Sequence, residues 1–267
     1  MAVIKPFNVT FLVLLAIFIL FTIGYWALFR KASEKAKKYA VVGLYVAALI
    51  FYWVYKYWIS IDEAYSVITA EAGEGAFSWW KELPLHLCNI NLLLVPIASL
   101  TGNKYLLSFT FFMAPFGALF AMAMPGVGFS GYSLFIPRVM GYYVTHMLVL
   151  IVSPILVLFG LYRPKFRDIP MTLVYAVSIS LVVFGINMVM RLTHVNDFAN
   201  YFYTIDPPAG TPLVLFKKWI PVPFLYDLPI FPVLAGYMAL VTLPFHLADR
   251  KKEKEEVAIE QTEAPAV

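Results

Sequence analysis

Long apolar runs alternate with short polar stretches along the whole chain, and this alternation is the first indication of the fold. Seven runs are long enough to be membrane-spanning helices, at about 8–29, 40–59, 83–101, 104–124, 138–161, 169–190 and 223–247. A helix needs about 20 apolar residues to cross the hydrocarbon core, because all its backbone polar groups must be satisfied internally. The pattern therefore predicts an all-α, polytopic membrane bundle of about seven transmembrane helices.

Two of these runs also predict local features. The third and fourth are separated only by Gly102 and Asn103, which predicts a tight helical hairpin. The seventh contains Pro229, Pro232 and Pro244. Because proline removes a backbone donor and clashes with the preceding turn, we expect these prolines to kink or shorten the seventh helix.

The composition agrees with a membrane protein. Of 267 residues, 61% are hydrophobic and 13% are charged, whereas soluble domains have roughly 45–50% apolar and about 25% charged residues. The first apolar run is too long for the core of a signal peptide, so we expect it to be retained. The basic residues form no stripe interleaved with aromatic residues, so no nucleic-acid partner is expected.

The charged clusters predict an orientation. Basic residues gather at 30–38, 163–167 and 250–254, and an acidic stretch lies between 62 and 82. Cytoplasmic loops carry an excess of lysine and arginine. With seven helices, all three basic clusters are cytoplasmic if the N-terminus is outside and the C-terminus inside. We expect one transmembrane domain over 1–248, a disordered cytoplasmic tail over 249–267, and a multi-pass protein of the cell membrane.

Polar residues that are costly at membrane depth fall in the half of the bundle predicted to face outside. The expected catalytic residues are His86, Cys88 and His146, and the expected substrate-binding residues are Arg138, Tyr142, Asn187 and Arg191. Such residues usually face a cavity or a partner and indicate a functional site. His146 lies eight residues after Arg138, which places it roughly 12 Å along the fifth helix.

Helix geometry limits which of these residues can act together. Residues two apart project about 200° apart on a helix, so Cys88 and His86 form a dyad only if the first turn is distorted. His146, from another helix, is therefore the better candidate base for the Cys88 thiol or for a lipid hydroxyl.

Each residue also has a purely structural interpretation. The single cysteine could be a small packing residue, and the two histidines and Asn187 could form interhelical hydrogen bonds. Tyr142 could be an ordinary interfacial aromatic residue. No metal and no cofactor is expected. The seventh run has no central lysine for a retinal Schiff base, and Met113, Met122 and Met124 are not accompanied by a second cluster of soft ligands.

Three short motifs resemble the bacterial YwaF-like branch of the transmembrane protein 164 acyltransferase family. They are Leu-Pro-Leu-His-Leu-Cys at 83–88, Tyr-Tyr-Val-Thr-His at 142–146 and Gly-Ile-Asn at 185–187. The resemblance covers most of the chain from about Leu83 to Pro244. It implies acyl transfer between membrane phospholipids and lysolipids, which remodels their chains without acyl-CoA.

The resemblance matches His86 and His146 to the two family histidines. The eukaryotic branch has a catalytic cysteine directly before the first histidine, and in this chain that position is Leu85. Cys88 either takes over the role or the reaction proceeds without a cysteine. In the covalent version, His146 would deprotonate Cys88, the thiolate would take the acyl group, and a lysolipid hydroxyl would then attack.

Other functions fit the same polar residues. A transporter of a small solute, an ion or a lipid would need a polar stripe that continues to the cytoplasmic face. A hydrolase would use water in place of the lysolipid. A receptor or assembly protein would use the histidines only as hydrogen-bonded spacers.

Overall fold

The computed structural model describes residues 2–73 and 77–263. Within them, the chain forms ten α-helices: α1 (Val9–Phe29), α2 (Glu34–Ser60), α3 (Glu63–Glu71), α4 (Leu87–Thr101), α5 (Lys104–Ala123), α6 (Pro137–Leu150), α7 (Val152–Leu158), α8 (Ile169–Leu192), α9 (Leu213–Trp219) and α10 (Ile230–Glu263). There are also 3₁₀ turns at Trp79–Lys81, Phe166–Asp168, Tyr201–Tyr203 and Leu225–Asp227. The strands β1 (Val3–Ile4) and β2 (Tyr132–Ser133) pair antiparallel.

The protein is thus an almost entirely α-helical membrane bundle, as predicted. Six helical segments are long and apolar enough to cross a membrane, and α4 is a shorter apolar helix of 15 residues. The predicted third helix began at Leu83, whereas α4 begins at Leu87. The residue before a proline disfavours helical backbone, so Leu83, which precedes Pro84, lies in a turn.

Side-chain caps define where several helices begin. Asn8 accepts a hydrogen bond from the amide of Phe11, and Asp62 accepts one from the amide of Tyr65. Between α4 and α5, Gly102 has a left-handed backbone with φ of 63°, and Asn103 accepts from two amides of α5. Glycine tolerates that conformation and asparagine is a preferred N-cap, so the predicted hairpin at these two residues is confirmed.

The fifth predicted helix is present but is interrupted at Ile151, which separates α6 from α7. Pro154 lies in the first turn of α7. Because proline cannot donate to a carbonyl one turn earlier, the break falls just before it. In the seventh helix, Pro232 and Pro244 lie inside α10, which begins after Pro229.

Successive long segments alternate in direction. The start of α4 is tied to the last turns of α2, because the Tyr52 hydroxyl donates to the Glu82 carbonyl at 2.6 Å. The start of α6 is tied to the same end by an ion pair between Arg138 and Asp62. We call this end of the bundle, where α4 and α6 begin, the site end.

The opposite end joins other segments. There, Arg163, in the turn before α8, pairs with Asp249 of α10 at 2.5 Å. The strand β1 pairs with β2, shortly before α6, so it lies at the site end, whereas Asp249 lies at the opposite end. This arrangement agrees with an odd number of passes. Which end faces outside stays a prediction.

Two glycines allow close helix contacts beside the site. A Cβ atom on Gly141 would lie 2.3 Å from the Tyr55 Cβ, so α6 touches α2 there. A Cβ atom on Gly117 would lie 3.1 Å from the Cys88 nitrogen, so α5 touches the first turn of α4. These contacts hold α2, α4, α5 and α6 together around the site.

The end of the chain was predicted to be a disordered tail from residue 249. The helix α10 continues through this segment to Glu263, and residues 264–267 lie outside the described part of the chain. Disorder of the tail stays a prediction.

Candidate functional site

His86 lies immediately before α4, at its N-cap position. Its backbone is extended, and its side chain makes no capping hydrogen bond with the helix. The imidazole instead contacts two aromatic rings from the segment after α8. The ring centroids lie 5.2 Å from Tyr201 and 5.3 Å from Tyr203. The side chain is therefore held by another part of the chain and not by its own helix.

Asn187 holds that segment in place. Its side chain is fully buried, and its amide nitrogen donates to the Tyr201 carbonyl at 2.8 Å and to the Thr204 hydroxyl at 3.0 Å. Its oxygen accepts from the Tyr201 amide at 3.0 Å. The predicted substrate-binding role of Asn187 stays a prediction, since in the structure these bonds position the residues around His86.

The segment itself has an unusual backbone. Phe202 and Tyr203 both have positive φ values, 58° and 56°, which are costly for residues other than glycine. Burial raises the pKa of Tyr201 to about 12, so its hydroxyl keeps its proton and donates to the Trp80 carbonyl. Strained backbone of this kind persists where the surrounding contacts determine it, and it is common at functional sites.

His146 lies on α6 and is 3% exposed. Its Nδ1 atom is 2.7 Å from the Tyr142 carbonyl oxygen, one turn earlier on the same helix. A carbonyl can only accept, so Nδ1 carries the hydrogen in the neutral ring. The lone pair is therefore on Nε2, and this nitrogen is the one able to act as a base.

Tyr142 supports the His146 ring. Their ring centroids are 4.2 Å apart, and Tyr142 stacks on Phe129 at 4.5 Å. The Tyr142 hydroxyl donates to the Ala121 carbonyl at 2.6 Å. Tyr142 thus has its ring against the histidine and its hydroxyl bound to α5, and its role in substrate binding stays a prediction.

Cys88 is buried in the first turn of α4. Amides at a helix N-terminus favour negative charge, whereas burial among apolar side chains opposes it.

The structure places His86 and His146 at the same end of two neighbouring helices, α4 and α6, which pack against each other and against α2. Lys56 of α2 lies at this end too, because it pairs with Glu82, four residues before His86, and directly follows Tyr55, which α6 contacts at Gly141. We call His86, Cys88, His146 and Lys56 the site cluster. Three of its members were predicted from the sequence, and they come from α4, its preceding turn and α6.

Lys56 was not recognised in the sequence. It lies on α2, is 7% exposed, and forms an ion pair with Glu82. Its ammonium group also lies 4.6 Å from the centroid of the Tyr55 ring. The available signal was a single lysine inside the apolar run 40–59, because an ionisable residue at that depth indicates a site.

Arg138 and Arg191 lie around the site cluster, each bound to a loop. Arg138 is 3% exposed, pairs with Asp62, and donates to the Gly128 carbonyl at 3.2 Å. Arg191 donates to the Ala199 carbonyl at 2.8 Å. These contacts fix the loops that cover the site end, and direct binding of a substrate by either arginine stays a prediction.

Several buried polar atoms near the cluster have no hydrogen-bond partner among the described residues. Four lie within three residues of Cys88 or His146: Asn89 Oδ1, Asn91 Oδ1, the Tyr143 hydroxyl and Thr145 Oγ1. Buried polar groups are normally bonded, so each needs an explanation. Among the described residues, no group of three or more His, Cys, Asp or Glu side chains is placed to hold a metal ion.

The comparisons with known proteins give one match. A model of the TMEM164 family matches residues 4–247. Neither the curated proteins nor the solved structures include a match to this chain. The match covers most of the chain and does not resolve its branch, so the bacterial YwaF-like assignment stays a prediction. The chain belongs to the TMEM164 family.

Proposed function

We propose that the protein transfers acyl chains between membrane lipids, with the site cluster as its reaction centre. The observation that carries this proposal is the His146 tautomer. Its Nδ1 is bound to the Tyr142 carbonyl, so Nε2 is available as a base in a buried cluster that also contains a thiol. The resemblance of the histidine motifs to membrane acyltransferases supports the same chemistry.

In the covalent version, His146 Nε2 takes the proton of the Cys88 thiol. The sulfur then attacks the ester carbonyl of a phospholipid, so a C–S bond forms as the ester C–O bond breaks. The imidazolium returns its proton to the departing lysolipid oxygen. In the second half, the hydroxyl of another lysolipid gives its proton to Nε2 and attacks the thioester. A new ester forms, and the sulfur regains its proton.

The negative charge of each tetrahedral intermediate needs a donor. The first turn of α4 offers backbone amides that no side chain caps, and a helix N-terminus stabilises an oxyanion. His86 can donate to the same oxygen, or it can position the leaving lysolipid. Lys56 adds a positive charge at the same end of the bundle.

A direct version avoids the cysteine, since His146 can activate the lysolipid hydroxyl for attack on the phospholipid ester. Two substitutions separate the versions. Cys88→Ala and Cys88→Ser both remove the thiol with little change in volume, and in the covalent version both reduce transfer by about 100-fold or more. Full activity in both variants would leave only the direct version.

The test of the function itself uses protein reconstituted into vesicles. The vesicles contain a phospholipid with an isotope-labelled acyl chain and an unlabelled lysolipid, without acyl-CoA. We expect the labelled chain to appear in the diacyl lipid that carries the headgroup of the lysolipid, which must differ from that of the donor, as measured by mass spectrometry. Labelled free fatty acid alone would mean that the protein is a hydrolase. Absence of both products from a folded protein would rule out the proposed reaction and favour a transporter or a scaffold.

A further inference from the structure

A cleft between α4 and α8 lies beside the site cluster. Its volume is about 500 Å³. Leu85, Ile90 and Leu94 line one wall, and α8 forms the other wall between Val174 and Ile186. Apart from Tyr175 and Ser178, the lining side chains are aliphatic. The cleft therefore offers hydrocarbon contacts along nearly its whole length.

The length of the cleft matches one leaflet of a membrane. Its α8 wall covers twelve residue steps, which is about 18 Å at about 1.5 Å per residue. Half of the hydrocarbon core is about 15 Å. Val182, on the α8 wall, is 63% exposed, so the cleft opens sideways. A lipid chain can therefore enter it without leaving the hydrocarbon.

The cleft reaches the site cluster at one end. Leu85 directly precedes His86, and Ile186 directly precedes Asn187. Leu85 and Ile186 also pack against the small apolar cluster that contains Tyr201, whose ring contacts the His86 imidazole. A chain lying in the cleft would thus have its carbonyl end at His86 and its methyl end toward Tyr175.

We propose that this cleft binds the acyl chain of the lipid whose ester is opened at the site cluster, and that its length selects the chain that is transferred. The orientation of the chain rests on the proposed function. Occupation of the cleft by an acyl chain does not rest on the proposed function, since it depends only on the shape and the aliphatic lining of the cleft.

Two neighbouring residues of α8 provide a matched pair of variants. Val182 lines the cleft, whereas Leu181 does not, and the two are 63% and 53% exposed. Both face hydrocarbon, so Val182→Trp and Leu181→Trp introduce the same side chain at nearly the same depth. Val182→Trp obstructs the cleft and Leu181→Trp leaves it open. Ile179→Trp is a second obstructing variant on the same wall.

The first readout is photocrosslinking with a phosphatidylcholine that carries a diazirine near the end of one chain. We expect the label to concentrate on the α4 and α8 residues that line the cleft. Val182→Trp and Ile179→Trp should reduce this labelling about tenfold. Each methylene group that is no longer buried in the cleft lowers the binding constant of the lipid chain by a factor of about four. Leu181→Trp should not change it. Equal labelling of all lipid-facing helices, or labelling that neither obstructing variant reduces, would overturn the proposal.

The second readout is the chain-length profile of acyl transfer. Val182→Trp should shift the preference toward shorter chains by about tenfold, and Leu181→Trp should keep the original profile. Cleft labelling by a protein that transfers no acyl group would contradict the proposed function and support the cleft. Active transfer with dispersed labelling and an unchanged profile in Val182→Trp would overturn the cleft and leave the function standing.

Discussion

The two ends of the bundle differ in how far the ion-paired side chains are exposed to solvent. At the site end, Lys56 and Arg138 are 7% and 3% exposed, and each pairs with a carboxylate from a neighbouring segment. At the opposite end, the pair between Arg163 and Asp249 has side chains that are 42% and 36% exposed. Both ends join segments by ion pairs, but only at the site end are the cations removed from solvent.

Burying a charged pair is costly, because the desolvation penalty can exceed the attraction between the partners. The opposite end shows that this bundle can join its helices without that cost. It also contains a buried network in which Ser108 lies 2.5 Å from Thr172 and 2.8 Å from the Tyr162 hydroxyl. This network also holds the buried Asp168 carboxylate, to which the Tyr162 hydroxyl donates at 3.3 Å, and among the described residues no cation pairs with it. Buried cations are found at the site end, where the proposed chemistry would use their charge.

The largest difference between the ends should appear in the histidines. His146 belongs to the site cluster, whereas His246 lies near the opposite end, with its ring centroid 5.3 Å from that of Phe166. His146→Gln should reduce acyl transfer by about 100-fold or more, because it removes the base. His246→Gln should keep the original rate. The rate of acyl transfer in vesicles is measured for both variants. Equal rates would contradict the proposed role of His146 as the base.

The buried and exposed ion pairs should also differ in their effect on stability. Lys56→Met leaves Glu82 without its partner and should lower the free energy of unfolding by about 3 kcal/mol. Arg163→Met should cost much less, because exposed pairs contribute little. Denaturant unfolding in detergent measures this difference.

A double variant serves as the control for this comparison. Lys56→Met combined with Glu82→Gln removes both charges and should recover part of the lost stability. Equal losses for Lys56→Met and Arg163→Met would show that the burial of the pair has no energetic consequence.

A smaller effect is expected where helices touch beside the site. Gly141→Ala places a Cβ atom 2.3 Å from the Tyr55 Cβ, so α6 and α2 must separate. We expect a loss of about 1–3 kcal/mol of stability. Gly24→Ala meets no atom within 4 Å and should cause no loss. Unfolding curves that coincide for the two variants would contradict the close contact.

The smallest effect concerns the loop that packs over His86. The hydrogen bond from Lys217, with the nearby charge of Arg191, lowers the pKa of Asp206. A carboxyl whose pKa is lowered by folding stabilises the protein above its unfolded pKa of about 3.9. This contribution is lost as the pH falls through the lowered pKa.

Asp206→Asn tests that contribution. Because Asp206 is half exposed, the variant should lose less than about 1 kcal/mol at neutral pH. The difference from the original protein should shrink below about pH 4. A difference in unfolding free energy that stays constant from neutral to acidic pH would mean that this ion pair does not stabilise the loop.

The helical bundle could be predicted from the sequence because spanning a membrane imposes a length and a composition on each helix. Polar residues stand out in apolar runs, so the sequence could also nominate His86, Cys88 and His146, whose catalytic roles stay predictions. The start of α4 was placed four residues early, because the turn around Pro84 is apolar and resembles helix in its pattern.

The remaining features depend on contacts between distant parts of the chain. Some hydrogen bonds join segments that are far apart in the sequence, and no local sequence pattern predicts how such segments are placed. Examples are those of Asn187 with Tyr201 and Thr204 and that of Lys56 with Glu82. The same holds for the cleft between α4 and α8, because neither helix alone shows which of its aliphatic residues face the other.

The most direct test of the central claim uses two labels at once. Vesicles with the reconstituted protein receive a phospholipid with a deuterated acyl chain and a lysolipid with a ¹³C-labelled headgroup, and no acyl-CoA. We predict a lipid that carries both labels, formed by the original protein and lost in His146→Gln, while folding is unchanged. Failure of the folded original protein to form the doubly labelled lipid, or its equal formation by His146→Gln, would contradict acyl transfer at the site cluster.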